Sequence, residues 1–260
     1  MSTHHTQKNQ ISQSVSGIFL IYKKAGETLA VLLDRFRSEQ SFDKNTPITY
    51  AGRLDPMAEG LVILLVGEKC KEKDSFNALE KTYEFEVLFG ISTDSFDMLG
   101  LIENVQSCNP SSDDLVSAIE NIKSMKEFFY PPFSSKPVDG VPLFAHAKRG
   151  SLPENLPSIK GEIKELILKN IKEISFDEAV LQSLNIIEKV EGDFRQEKIK
   201  SSWNEFLENK NSEACTIATF EATVTSGVYV RSIATLIGRY LGVPALAYSI
   251  KRIRVGEYKV

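Results

Sequence analysis

The sequence predicts an α+β fold in which a central sheet, mixed but mostly antiparallel, is flanked by helices and loops. Two observations support this class, and a third shows that the chain can form a core. Strand patterns follow one another directly at several places, which favours antiparallel pairing. Helical segments with one apolar face, spaced by three and four residues, lie among them. Finally, 42% of the 260 residues are hydrophobic and 25% are charged, which is enough apolar side chain for a sizeable core.

The first half of the chain predicts three strands and two helices. Residues 17–22 form a short apolar run, and the continuous apolar run 61–66 is typical of a strand buried on both faces. Residues 81–89 alternate between apolar and polar side chains. Helices begin at Glu27 or Thr28 and at a serine cap, Ser111 or Ser112. Their apolar faces are Leu29, Leu32, Leu33 and Phe36 in the first and Leu115, Ala118, Ile119 and Ile122 in the second.

The second half predicts further helices and two strands. Residues 163–174 fit a strand and a helix equally well, whereas the charged segment 176–210 has helical apolar spacing and predicts a helical insertion over residues 176–214. Strands are predicted over residues 215–225 and 246–255. Between them, Ser226-Gly227 turns the chain into a helix that ends at Gly242. Its inward face consists of Ile233, Leu236, Ile237, Tyr240 and Leu241.

These elements predict one domain over residues 16–260, preceded by a disordered polar tail over residues 1–15. Two loops interrupt the domain. Residues 43–60 carry Pro47, Gly52, Pro56 and Gly60, and residues 128–144 are rich in aromatic residues and proline.

Composition and residue spacing exclude several classes of protein. The three cysteines, Cys70, Cys108 and Cys215, lie far apart in the sequence. This spacing indicates free thiols in a reducing compartment. His4, His5 and His146 are not spaced as metal ligands, so we expect no metal. No apolar stretch is long enough for a signal peptide or a membrane span, which predicts a soluble, cytoplasmic protein, and we expect a monomer. The net charge of −4 gives no indication of a nucleic-acid partner, although a local basic patch could still bind one.

The loop at residues 50–60 is the segment that most strongly indicates a chemical function. It places Asp55 between glycine and proline residues immediately before a buried strand. Functional groups gather on such loops because the scaffold beneath them is rigid. An aspartate before a proline is also a common turn cap, so the loop alone leaves both interpretations open.

A family resemblance favours the functional interpretation. The string AGRLDPMAEGLVILLVGE resembles the signature of the TruB family of pseudouridine synthases. Further segments resemble family motifs in the same order: KTYEFEVLFG, STDSFDMLG, PPFSSKPVDGVPLFAHAKRG, SGVYVRSIATLIGRYLG and IKRIRVGEY. The resemblance covers roughly residues 17–175 and 215–258. It implies the pseudouridine-synthase fold, with the active-site cleft lying across the sheet.

The resemblance also implies a reaction and a set of residues. A uridine is flipped out of the RNA, its N–C glycosidic bond is broken, the base turns over, and a C–C bond forms. The family aspartate corresponds to Asp55, which acts at the sugar as a nucleophile or charge stabiliser. The residue matching Tyr83 stacks on the flipped base and is a candidate for removing a sugar proton, and Arg231 pairs with the aspartate. Ile250 packs against the base. No metal or organic cofactor is needed.

Other positions are expected to contact the substrate. Tyr229 lies near it in the family, and Gly52 and Arg53 belong to the aspartate loop. Tyr50 stands where the family has a histidine that helps to fill the space left by the flipped base. Lys136 and Arg149, with Lys148, suit a phosphate-contacting flap. Without the resemblance, Tyr83 would be interpreted as a core aromatic residue, and the flap cations as a solvated loop.

The resemblance predicts isomerisation of uridine 55 in the T loop of tRNA, so the expected partner is the tRNA T stem-loop. The alternatives are a synthase acting on another RNA and a non-catalytic RNA-binding or RNA-folding module. The motifs end near residue 258, so the small C-terminal RNA-binding domain of many relatives is expected to be missing. The insertion at 176–214 could contact RNA through Lys198, Lys200 and Lys210, or could be a solvated acidic surface.

Overall fold

The computed structural model describes residues 16–209 and 214–259. The polar tail predicted over residues 1–15 and the cation at Lys210 lie outside the described residues. The strands are β1 Gly17–Lys23, β2 Ile48–Ala51, β3 Glu59–Val66, β4 Lys81–Phe89, β5 Ile91–Thr93, β6 Ile102–Val105, β7 Glu127–Phe129, β8 Pro137–Val138, β9 Val141–Pro142, β10 Ser158–Lys160, β11 Ile163–Ser175, β12 Ala214–Val224, β13 Ala245–Val255 and β14 Tyr258–Lys259. The helices are α1 Leu29–Glu39, α2 Lys73–Ala78, α3 Ser112–Ser124, α4 Leu143–Arg149, α5 Phe176–Lys189, α6 Gln196–Asn209 and α7 Val230–Leu241, with a 3₁₀ turn at Gly67–Glu72.

The main sheet confirms the predicted α+β class. Its strands lie in the order β1-β3-β13-β4-β12-β11, with β2 beside β3 and β14 beside β13. Every pairing is antiparallel except that of β3 with β13. At that parallel junction Gly60 faces Arg252. Gly60 has φ +113°, and a Cβ there would lie 2.3 Å from the Arg252 carbonyl oxygen, so only glycine allows the two strands to meet.

The hydrophobic core explains why β3 is apolar throughout. Val62, Leu64 and Val66 face the main core, where the helix α1 packs through Leu32 and Phe36. The alternate residues of β3 belong to a second, smaller cluster with Phe76 of α2 and Val255. The strand is therefore buried on both faces, as its continuous apolar run predicts. The predicted caps of α1 and α3 and the inward residues of α3 are likewise confirmed.

Three segments differ from the prediction or resolve it. Residues 48–51 form a strand within the predicted loop 43–60, because they pair with a free edge of β3. The flanking Pro47 and Gly52 are typical of a loop and give no sign of this pairing. The ambiguous residues 163–174 are a strand, since they pair along their length with β12. The loop predicted over 128–144 includes the short hairpin β8–β9, and the helix α4 begins at its end.

The charged segment 176–209 forms the two helices α5 and α6. Its inner face is apolar: Trp203 and Ile199 of α6 and Phe176 of α5 are buried in the main core. The segment is therefore integrated into the fold rather than being a fully solvated surface. Lys198 is exposed, and Lys200 forms an ion pair with Glu197 at 2.7 Å. Contact between these lysines and RNA remains a prediction.

No helix within the described ranges is long and apolar enough to cross a membrane. In the same part of the chain, no group of three or more histidine, cysteine, aspartate or glutamate side chains is arranged to hold a metal ion.

Candidate active site

Two buried cations hold the loop that carries Asp55. The first is Lys23, at the end of β1, whose ammonium group donates hydrogen bonds to the carbonyl oxygens of Pro56 (3.1 Å) and Ala58 (2.5 Å). Its side chain is fully buried. Burial lowers the pKa of Lys23 to about 8, although the nearby charge of Asp55 acts in the opposite direction. The backbone immediately after Asp55 is thereby tied to the neighbouring strand.

The second cation is Arg252 of β13, whose guanidinium is also fully buried. Its Nε donates to the Leu61 carbonyl (2.6 Å), and its Nη atoms donate to the carbonyls of Arg53 (3.1 Å) and Gly52 (3.2 Å). These acceptors lie before and after Asp55 in the sequence. The loop is thus bonded to buried groups on both sides of the carboxylate, which fixes the position from which Asp55 projects.

Asp55 and Arg231 form a two-pronged ion pair across 176 residues of sequence. Arg231 Nε donates to Asp55 Oδ2 at 2.8 Å, and Nη2 donates to Oδ1 at 3.0 Å. The remaining donors reach the carbonyls of Ser95 (3.0 Å) and Phe133 (3.3 Å). The Arg231 side chain is 3% exposed and that of Asp55 is 28% exposed. The Asp55 carboxylate is therefore held in orientation by the buried Arg231 and remains partly accessible on its other side.

A second carboxylate, that of Asp97, lies on the protein side of Arg231. Its Oδ2 is 3.5 Å from Arg231 Nε, and its Oδ1 accepts hydrogen bonds from Ser95 Oγ (2.6 Å) and Leu99 N (2.9 Å). Burial, together with the charge of Asp55, raises the pKa of Asp97 from 3.8 to about 6, against the opposing effect of Arg231. Conversely, burial opposes the charge of Arg231, but the two carboxylates outweigh it and raise its pKa.

The raised pKa of Asp97 predicts a pH dependence of stability. Between pH 3.8 and about pH 6 the folded protein holds a proton on Asp97 that the unfolded chain releases. This stabilising contribution is complete below pH 3.8 and is lost as the pH rises through 6. We expect the free energy of unfolding of the wild type, relative to Asp97→Asn, to fall by up to about 3 kcal/mol between pH 4 and pH 7.

Urea denaturation at several pH values measures this difference. The exposed Asp113 gives a matched control, because Asp113→Asn makes the same chemical change at the surface. A difference between wild type and Asp97→Asn that stays constant from pH 4 to pH 7 would contradict the assignment.

The ion pair opens onto a cavity of about 870 Å³ whose lining includes residues of the strands β2, β4 and β13. Asp55, Tyr83 and Arg231 all line it, so the three groups predicted to carry the chemistry share one cavity. Of the predicted substrate contacts, those that line it are Tyr50, Gly52, Arg53, Tyr229 and Ile250. Tyr83 and Ile250 come from the adjacent strands β4 and β13, which explains how positions distant in sequence meet.

Tyr229 links this cavity to the neighbouring aromatic residues. Its ring lies 5.7 Å from the Arg231 guanidinium carbon and makes an edge contact with Tyr130 at 5.7 Å. Burial and the charge of Asp55 raise the pKa of Tyr229. The phenol therefore stays neutral next to the carboxylate and can act as a hydrogen-bond donor.

Lys136 and Arg149 do not line the cavity. Lys136 Nζ lies 5.3 Å from the centre of the Tyr130 ring, and Arg149 is exposed at the last residue of α4. From the same segment it is Lys148 that reaches the cavity wall. Contact of Lys136 and Arg149 with RNA remains a prediction.

Sequence reasoning missed several residues of the site. Asp97 belongs to the segment STDSFDMLG, and Arg252 belongs to IKRIRVGEY, so their motifs could have suggested a role. The stretch that begins at Lys23 resembles a family motif only in part, and lysine side chains are usually exposed, so the burial of Lys23 could not be predicted. Nor does the sequence indicate that Arg195, between α5 and α6, lines the cavity.

Solved structures share this fold. The crystal structure of a Cbf5-Nop10-Gar1 complex matches with a TM-score of 0.55 at 14% identity, covering 94% of this chain and 50% of that chain. A structure of an H/ACA RNP bound to a substrate RNA containing 2'-deoxyuridine matches with a TM-score of 0.51 at 14% identity, covering 94% and 48%. The chain spans about half the length of these neighbours. At this identity the similarity shows the fold alone, and it confirms the predicted pseudouridine-synthase fold.

Sequence comparisons identify the protein family to which this chain belongs. Residues 41–186, more than half of the chain, match the family described as TruB family pseudouridylate synthase (N terminal domain), so the chain belongs to the TruB family. Proteins named tRNA pseudouridine synthase B match along most of their length. That of Blochmanniella pennsylvanica is 25% identical, covering 96% of this chain and 79% of the relative. Those of Aquifex aeolicus and Chloroherpeton thalassium are 27% and 28% identical, covering 95% and 93% of this chain and 70% and 83% of the relatives.

Proposed function

We propose that this protein converts uridine 55 in the T loop of tRNA to pseudouridine, with Asp55 as the catalytic carboxylate. The observation that carries the proposal is the Asp55–Arg231 pair, whose carboxylate is held by two hydrogen bonds and still faces a cavity lined by Tyr83 and Ile250. The names of the matching TruB relatives support tRNA as the substrate.

The cavity suits an extruded nucleobase. Tyr83 and Ile250 provide an aromatic and an aliphatic surface at its wall, on which a flat base can pack. In the proposed reaction the bond from N1 of the base to the sugar breaks, the base rotates, and C5 bonds to the same sugar carbon. The C5 proton is lost and N1 gains one, so the reaction is balanced without an oxidant or a second substrate.

The protein groups have distinct roles in this proposal. Asp55 acts at the sugar as a nucleophile or as the charge that stabilises a developing cation. Arg231 holds that carboxylate in one orientation through two hydrogen bonds, and its positive charge offsets that of the anion. The phenol of Tyr83 stacks on the base and is the candidate for proton removal at the sugar. Arg53 lines the cavity, and its role in the proposal is to contact a phosphate of the bound RNA.

The test is to map pseudouridine after incubating the purified protein with a T-loop hairpin and with a full tRNA transcript. We expect pseudouridine at position 55 alone, and none in a matched hairpin with cytidine at that position. Modification at another site would indicate a different RNA substrate. RNA binding without modification of any uridine would support the non-catalytic alternative and refute the proposal.

A further inference from the structure

The helix α6 is bonded to the turn that carries Asp97. The indole Nε1 of Trp203 donates to the Gly100 carbonyl at 3.1 Å, and the backbone N–H of Ile102 donates to Ser202 Oγ at 3.1 Å. Trp203 is fully buried, so this contact is part of the core. The segment predicted as an insertion therefore supports one wall of the candidate active site from behind.

The loop between α5 and α6 makes a second, closer connection through Arg195. Its two Nη atoms donate to the two carboxylate oxygens of Asp94, at 2.7 and 3.1 Å. Both side chains are mostly buried, 16% and 23% exposed. The guanidinium carbon also lies 4.0 Å from the centre of the Phe133 ring. Arg195 thus contacts two separate segments at once: it forms two parallel hydrogen bonds with Asp94 and stacks on the ring of Phe133.

Both segments that Arg195 holds also contact Arg231. Ser95, next to Asp94, and Phe133 supply the two backbone carbonyls that accept hydrogen bonds from the Arg231 Nη atoms. Arg195 lines the cavity and is also one contact removed from Arg231, the residue that orients Asp55. A small shift of either carbonyl would turn the Arg231 guanidinium and with it the catalytic carboxylate.

The same loop also holds the flap, defined here as residues 130–150. Lys148 donates to the Asp193 carboxylate at 3.0 Å and to its carbonyl at 3.1 Å. Phe133, on which Arg195 stacks, lies in the same segment. The flap is thus attached to the helix pair near both of its ends, at the wall of the cavity.

We propose that Arg195 is a positioning residue for Arg231 and Asp55, and that it tethers the flap to the pair of helices α5 and α6. The pair then acts as a structural part of the active site rather than as an RNA-binding appendage. The inference deepens the proposed function and rests on it for the effect on catalysis, whereas the tether can be tested without RNA.

The decisive variant is Arg195→Ala. It is compared with Arg195→Lys, which keeps the positive charge but loses the paired hydrogen bonds to Asp94 and the planar surface that stacks on Phe133. We expect the single-turnover rate at saturating RNA to fall by about 10- to 100-fold in the alanine variant, because small misplacements of reacting groups have effects of this size. The Arg195→Lys variant should recover little of the lost single-turnover rate. The affinity for the T-loop hairpin should stay within about threefold, since Arg195 acts through other residues.

A second measurement follows the flap directly. Trypsin can cleave after Lys148 and Arg149, and loss of the tether should increase the initial rate of that cleavage by about fivefold or more, since local opening controls proteolysis. Arg239→Ala is the matched control: it removes an arginine that lies 4.7 Å from the Phe129 ring, and neither residue lines the cavity. We expect this control to match the wild type in both assays.

Asp94→Asn provides a second route if Arg195→Ala fails to fold. It should reproduce the loss of rate, and the double variant should be no worse than the worse single one, because the two residues act as a unit. A wild-type rate and wild-type cleavage in Arg195→Ala would overturn the inference. So would weakened RNA binding with an unchanged saturated rate, since Arg195 would then contact RNA. If the wild type modifies no RNA, the proposed function fails, while trypsin cleavage still decides the tether.

Discussion

Asp55→Asn is expected to abolish pseudouridine formation while leaving RNA binding within about tenfold of the wild type. Asparagine has nearly the same shape and can still accept a hydrogen bond from Arg231, but it carries no charge and is a poor nucleophile. Removing a group of this kind lowers the rate by about four orders of magnitude or more in enzymes that depend on it. Because Asp97 remains 3.5 Å from Arg231, the buried guanidinium keeps one counter-charge, and the variant should fold.

Single-turnover pseudouridine formation and hairpin binding measure this result on the same preparation. Asp113→Asn, an exposed change of the same kind, should be indistinguishable from the wild type. An Asp55→Asn enzyme that retained a tenth of the wild-type rate would remove Asp55 from the role proposed for it. Loss of both activity and thermal stability would instead indicate a structural role.

Arg231→Ala is expected to have the second largest effect, on both activity and stability. It leaves Asp55 without its two hydrogen bonds and Asp97 without the cation that lowers its pKa. Breaking a buried ion pair by removing one partner costs about 3 to 5 kcal/mol of stability. The rate should fall by about three orders of magnitude, because the guanidinium then no longer holds the carboxylate in its orientation.

A double variant separates the two effects. Arg231→Ala combined with Asp97→Asn removes one of the two stranded carboxylates, so part of the lost stability should return. The activity should stay low, since Asp55 still lacks its partner. Thermal unfolding and single-turnover rates measure the two quantities independently. A wild-type rate in Arg231→Ala would show that Asp55 does not depend on the ion pair.

Sequence patterns predicted most of the elements that build the site. The helices beginning at residues 29, 112 and 230 and the strand at 81–89 have apolar periods that extend over several turns or alternations, and the strand at 61–66 is a continuous apolar run. Such periods are local, so they can be interpreted without a partner. The residues 163–174 could not be assigned from the sequence. Apolar residues spaced by three favour a helix, whereas residues on one face of a regular strand are two apart, and only the pairing with β12, which includes two register shifts, decides for a strand.

By itself the sequence determined the fold class and the family, and it singled out Asp55, Tyr83 and Arg231 as candidate site residues, since motifs and periodicity are properties of short stretches of chain. Only the tertiary structure decided which charges are buried. Lys23 and Arg252 hold the loop that carries Asp55, Asp97 lies beside Arg231, and Arg195 bonds to Asp94 and stacks on Phe133. The reason is physical: a charged side chain is stable in the interior only where distant segments supply its acceptors or counter-charges, and no local pattern records those partners.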